Sequence, residues 1–181
     1  GTILHSSNTV FLTDLTNQGA YTIASGVETV INGGIVNNGT IKMDAFGGAT
    51  YLNVGASDNA LLTGTGKVIM SNDASNVIMT GNNWASLTND SGHTIEGSGS
   101  IGSGGHATSL TNLGTIRANQ SNPLNLYGNA VVNAGTFEAA NGGTLNVTTL
   151  TNLSGETLTG GSYLIAGTMK LPGNIKSNAA A

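Results

Sequence analysis

Apolar residues enter this chain in short pulses of period two, separated by clusters of Gly, Asn, Thr and Ser. Period two is the mark of a strand with one buried face, and no stretch carries ten residues of helical periodicity. The pulses recur: an apolar residue follows a turn phrase in "TNQGAYTI" from Thr16, "VNNGTIKM" from Val36, "TNLGTIRAN" from Thr111 and "VNAGTFEA" from Val132. Taken as anchors, these residues are Tyr21, Ile41, Val68, Ile95, Ile116, Phe137 and Leu158, at intervals of 20, 27, 27, 21, 21 and 21 residues. The two long intervals read as the same unit with about six residues inserted.

Two further pulses belong to each unit. An apolar-x-Asn element precedes the turn: Leu15/Asn17, Ile35/Asn37, Leu87/Asn89, Leu110/Asn112, Val131/Asn133 and Leu150/Asn152. The third unit departs, with Leu62 and Gly64 in those places. A mid-unit pulse appears as Leu52/Val54, Val77/Met79, Leu124/Leu126 and Leu145/Val147. Three strands and three turns in about 21 residues predict an all-β fold, a right-handed parallel β-helix of about seven to eight coils. Coils stacked at about 4.8 Å give a rod roughly 35 Å long. Residues 1–181 form a single segment of this kind, with 1–15 expected as an N-terminal cap and 171–181 as a flexible tail. The opening "GT" and closing "NAAA" look like the ends of a piece of something longer.

Alternation assigns the anchors and the residues two beyond them to the interior. Gly19, Gly39, Gly114 and Gly135 hold the corner, where a left-handed φ is expected to select glycine. Asn17, Asn37, Asn112 and Asn133 share a turn position, and their amides are expected to satisfy turn backbone and one another. Thr occupies five of the seven outward positions before the anchors. After them, Glu96, Arg117 and Glu138 fall on successive coils as an outward ion ladder, in which alternating sign avoids like charges in register.

Composition sharpens the picture. Only 8% of residues are charged, Gly is 28 of 181 and cysteine is absent. A formal net charge of −4 with five Lys plus Arg leaves no basic patch for nucleic acid or anionic lipid. No apolar run is long enough to insert this segment in a membrane, and no secretory leader opens the chain. No cofactor or metal site is expected. His5, His93 and His106 lie in Gly- or Ser-rich segments without metal-ligand spacing and are expected in exposed turns. "GSGSIGSGG" from Gly97 lacks the Lys-Ser/Thr ending of a phosphate loop; close packing against a neighbouring coil or a loose surface loop is expected instead. Four Asn-x-Ser/Thr matches, at Asn38, Asn119, Asn146 and Asn152, are what chance produces in so Asn- and Thr-rich a chain.

Two chemistries remain as alternatives. Glu96 and Glu138, two coils apart, sit near the long end of the spacing used by inverting glycosidases, about 6.5–9.5 Å, but Arg117 between them holds both ionised. An ice-binding face needs a flat Thr-x-Thr array, and here the second row is charged and uneven. Trp84, in the inserted stretch 82–86, is the candidate ligand contact as a sugar-stacking platform, with an ordinary packed Trp as the plain alternative.

The phrases "LTNLGTIRAN", "VVNAGTFEAANGGTLNV" and "LTNLSGETLTGGSYLIAGTMKLPGNI" resemble the repeat regions of bacterial β-strand-repeat surface and secreted proteins, filamentous-haemagglutinin-like exoproteins and autotransporter passengers. The resemblance covers most of residues 21–175. It implies a non-enzymatic, extracellular or cell-surface stalk that engages host or surface glycans or proteins weakly. Its open coil ends would favour end-to-end self-association.

Overall fold

The structure, a computed structural model, describes residues 1–55, 59–81, 85–102 and 109–180. It is all-β, with no helix among the described residues, and parallel strands stack into a solenoid of about seven turns some 23 residues apart. The mean repeat exceeds the expected 21 because the long coils contribute fully to it.

Three faces enclose the core. The first is an eight-stranded parallel sheet of Thr2–His5, Ala20–Ala24, Thr40–Asp44, Lys67–Met70, Thr94–Gly97, Thr115–Ala118, Thr136–Ala139 and Ser162–Ile165. Its register puts Ile3, Tyr21, Ile41, Val68, Ile95, Ile116, Phe137 and Tyr163 in one stacked row. Six of the seven expected anchors therefore lie directly above one another. The seventh does not: Leu158 lies in a hairpin, Leu153–Ser154 against Thr157–Thr159, and Tyr163 takes the place in the row. The hairpin extends this coil before the chain rejoins the first face.

The second face runs through Thr50–Val54, Asn76–Met79, Gly99–Ile101, Leu124–Leu126, Thr144–Val147 and Thr168–Lys170. The third holds Ala60–Thr63, Ser86–Asn89, Ser109–Asn112 and Val131–Asn133. In the first two coils one long strand, Thr9–Asn17 or Glu28–Asn37, bends round the corner between these faces. The bend sits at Asp14 and Gly33, both with positive φ (50° and 86°), and the Gly34 amide donates to Asp14 Oδ1 at 3.0 Å. On the second face Leu52, Ile78, Ile101, Leu126 and Val147 stack inward. This corrects the expected phase of one coil. Asn76 and Ile78 point in and Val77 and Met79 point out, because Asn76 is drawn inward to bond the turn carbonyls of Ser71 and Asp73.

The core is made of these rows, with Ile23, Ile31, Ile41, Met43, Leu62, Met70 and Phe137 fully buried. Burial of apolar area at about 25 cal/mol per Å2 drives the winding. Residues 1–15 supply strands of the first coil, and Ile3, Leu4 and Phe11 stand exposed on it. Near the end of the chain Ser177–Ala179 pairs in parallel with Thr157–Thr159.

Candidate functional site

Two side-chain systems run along the stack, and both were expected in outline. The first occupies the corner between the third and first faces. Asn37, Asn89, Asn112 and Asn133 are fully buried there, and Asn17 nearly so. The amides connect head to tail: Asn17 Nδ2 donates to Asn37 Oδ1 at 2.8 Å, Asn89 Nδ2 to Asn112 Oδ1 at 2.8 Å and Asn112 Nδ2 to Asn133 Oδ1 at 2.9 Å. Each also donates to a first-face carbonyl on the next coil, as Asn112 does to Thr136 at 3.1 Å. Asn152 closes the series on the backbone of Asn133, accepting from its N–H at 2.7 Å and donating to its carbonyl at 3.0 Å. The side-chain amides of Asn17, Asn37, Asn89, Asn112 and Asn133 are all bonded inside the fold, so the ladder stabilises it.

The corner glycines are selected by something other than φ. Gly19, Gly39, Gly114 and Gly135 all have ordinary negative φ, and a Cβ on each would run into a backbone carbonyl of the coil before: Gly1, Gly19, His93 and Gly114 respectively. Close vertical approach of the turns, not a left-handed turn, requires glycine. In "GSGSI" close approach and conformation act together, since Gly97 and Gly99 have φ of 127° and 123°. Gly97 and Gly99 lie against Met70 and Asn76 of the preceding coil, and Ser98 is fully buried. That run packs tightly; residues 103–108 beyond it lie outside the described residues.

The ladder has one irregularity. On the third face Leu62 pairs with Ile35 on one side and with Asn89 on the other, a slip of two residues. Coil three offers Gly64 where the other coils offer Asn. His93 makes up the loss. Its Nδ1 lies 2.8 Å from Asn89 Oδ1 and its Nε2 3.0 Å from Asn37 Nδ2. His93 is 1% exposed, not in a solvated turn, and burial pushes its pKa down to about 4 against an opposing pull from Asp90. His5 is buried too, with Nδ1 2.8 Å from Thr29 Oγ1, which lies 2.9 Å from the Tyr21 hydroxyl. His106 lies outside the described residues. The signal for His93 was present in the sequence: the one coil lacking Asn is followed by the long turn "NDSGHTI", which puts a histidine four residues after Asn89.

The second system is the outward ion ladder. Glu96, Arg117 and Glu138 are in register on successive first-face strands. Arg117 Nε donates to Glu138 Oε2 at 2.6 Å and its Nη1 reaches Glu96 Oε2 at 3.4 Å. Lys67, from the neighbouring outward row, adds a fourth charge at 3.2 Å from Glu96 Oε1. The hydrogen bond to Glu138, ahead of the pull of Glu96, raises the guanidinium pKa. Glu96 is only 8% exposed, so this end of the ladder is more enclosed than an outward row suggests. Arg117 holds both carboxylates and Lys67 holds Glu96 as well, an arrangement unlike a glycosidase acid, which needs its proton retained by burial or like charge.

Trp84, the candidate ligand contact, lies outside the described residues. No group of three or more metal-ligating side chains occurs among the described residues. One hollow of about 320 Å3 opens at the first coil, lined by Ile3, Leu4, Val10, Leu12 and Tyr21, and a cleft of about 390 Å3 lies between Thr148–Leu150 and Pro172–Asn174. No protein-family model matches the chain, nor does any curated protein or solved structure.

Proposed function

We propose that this solenoid is a non-enzymatic structural and adhesive segment of an extracellular or cell-surface bacterial protein. It acts as a stiff stalk and engages glycans or proteins weakly along its side. The observation that carries the reading is the uninterrupted stacked row from Ile3 to Tyr163, around which side-chain amides and charges are consumed in holding coil to coil. Stiffness follows, because bending the rod would break in-register backbone and side-chain bonds on all three faces. The resemblance to exoprotein and passenger repeats supplies the setting. A glycan array together with a reducing-sugar assay on a polysaccharide panel tests it. Weak binding that falls in Trp84→Ala, with no sugar released, is expected. Turnover that disappears in Glu96→Gln or Glu138→Gln would replace this reading with a carbohydrate-active enzyme.

A further inference from the structure

Three links of the corner ladder join amide to amide and two run through the His93 ring. We propose that His93 is an acid-sensitive joint: when its ring takes a second proton, the ladder parts between Asn37 and Asn89 and the side-chain coupling across the third coil is lost.

The protonation state is dictated by the neighbours. Asn89 already donates through Nδ2 to Asn112 Oδ1, so its Oδ1 faces the ring as an acceptor, and His93 Nδ1 must carry hydrogen. Asn37 accepts from Asn17 at Oδ1 and donates from Nδ2 to the Lys67 carbonyl at 2.9 Å, so Nδ2 faces the ring as a donor. His93 Nε2 must therefore hold a lone pair. One neutral tautomer satisfies both sides. A second proton places N–H against N–H in a site closed to water, and turning either amide would break a bond further along the ladder.

Among the described residues, the ring's hydrogen-bond partners are uncharged: Asn37 from the Glu28–Asn37 strand and Asn89 from the Ser86–Asn89 strand. The Lys67 ammonium is engaged with Glu96. Asp90, from the same turn, is the charged group that favours protonation. Burial outweighs it: the folded ring titrates at about 4, below the value of 6.5 it has when free. The sign follows. The unfolded chain takes the proton first, so stability from the neutral ring is complete above pH 6.5 and is lost as pH falls towards 4.

Denaturant unfolding of the wild-type chain and of His93→Gln at pH 7, 5 and 4, with NMR titration of the His93 ring, tests the joint. Between pH 7 and 4 the wild-type folding constant should fall about a hundredfold more than that of the variant. Side-chain amide exchange should rise first at Asn37 and Asn89, ahead of Asn112 and Asn133. A folded-state ring titrating near 6.5, or equal acid sensitivity in both chains, overturns the proposal. Should His93→Gln fail to fold, the ring titration and the order of exchange in the wild type decide it.

Discussion

Gly135 lies directly on Gly114: a Cβ at position 135 would meet the Gly114 carbonyl oxygen, although neither residue has a positive φ. Gly135→Ala should therefore cost about 3 kcal/mol, since two backbones must move apart to admit a methyl group. Gly34→Ala, with nothing within 4 Å and a negative φ, should be neutral or slightly stabilising. Urea unfolding of the two variants checks the contrast; equal midpoints would sink the close-approach account.

Asn112→Ala removes a side chain that accepts from Asn89 and donates to Asn133 and Thr136, leaving buried groups unpaired on both neighbouring coils. The expected loss is roughly 2–4 kcal/mol with an unchanged denaturant slope. Asn112→Asp should also destabilise, because a carboxylate cannot donate to Asn133 Oδ1. A loss under about 0.5 kcal/mol in the alanine variant would mean the ladder is passive.

Arg117→Met removes the cation between Glu96 and Glu138, leaving Glu96 with Lys67 and Glu138 with no ion-pair partner among the described residues. A loss on the order of 1–2 kcal/mol is expected, partly recovered by added salt, whereas Glu138→Gln should cost under about 1 kcal/mol. Thermal unfolding at two ionic strengths distinguishes them. Similar losses in both variants would show that Glu96 does not depend on Arg117.

The outer edge of the first coil exposes Ile3, Leu4 and Phe11 beside strand groups that no described residue pairs. The 181-residue chain should associate as concentration rises, and Ile3→Lys with Phe11→Lys should suppress it. Light scattering that shows a strict monomer at high concentration would count against this.

The winding was legible because each interior row repeats one residue type at one phase, and the register confirms six anchors from Tyr21 to Phe137. Leu158 misled because it too is apolar and follows an Asn/Gly turn. Its antiparallel pairing with Leu153, and the seating of Tyr163 on Phe137, put this segment in a side hairpin. Val77 and Met79 misled because hydrophobicity alone sets phase in a sequence reading, while Asn76 is buried for its hydrogen bonds. The glycine positions were legible but their cause was not, since chain-to-chain approach leaves no local signature. The Glu96–Arg117–Glu138 row was readable from spacing. Lys67 was not, because it reaches diagonally from a different row, and His93 was hidden by looking like a residue of an ordinary polar turn.

The two-residue slip at Leu62 divides the rod into blocks that do not mesh interchangeably. Beyond it, from Thr94 to Ala139, the unit between successive first-face strands is a constant 21 residues, so a copied pair of units would keep the apolar rows in phase and the Glu96–Arg117–Glu138 row alternating in sign. Across the slip no such copy fits, for Leu62 must face Ile35 on one side and Asn89 on the other. The fault thus marks where the array resists expansion by simple tandem duplication, while the downstream half remains free to lengthen.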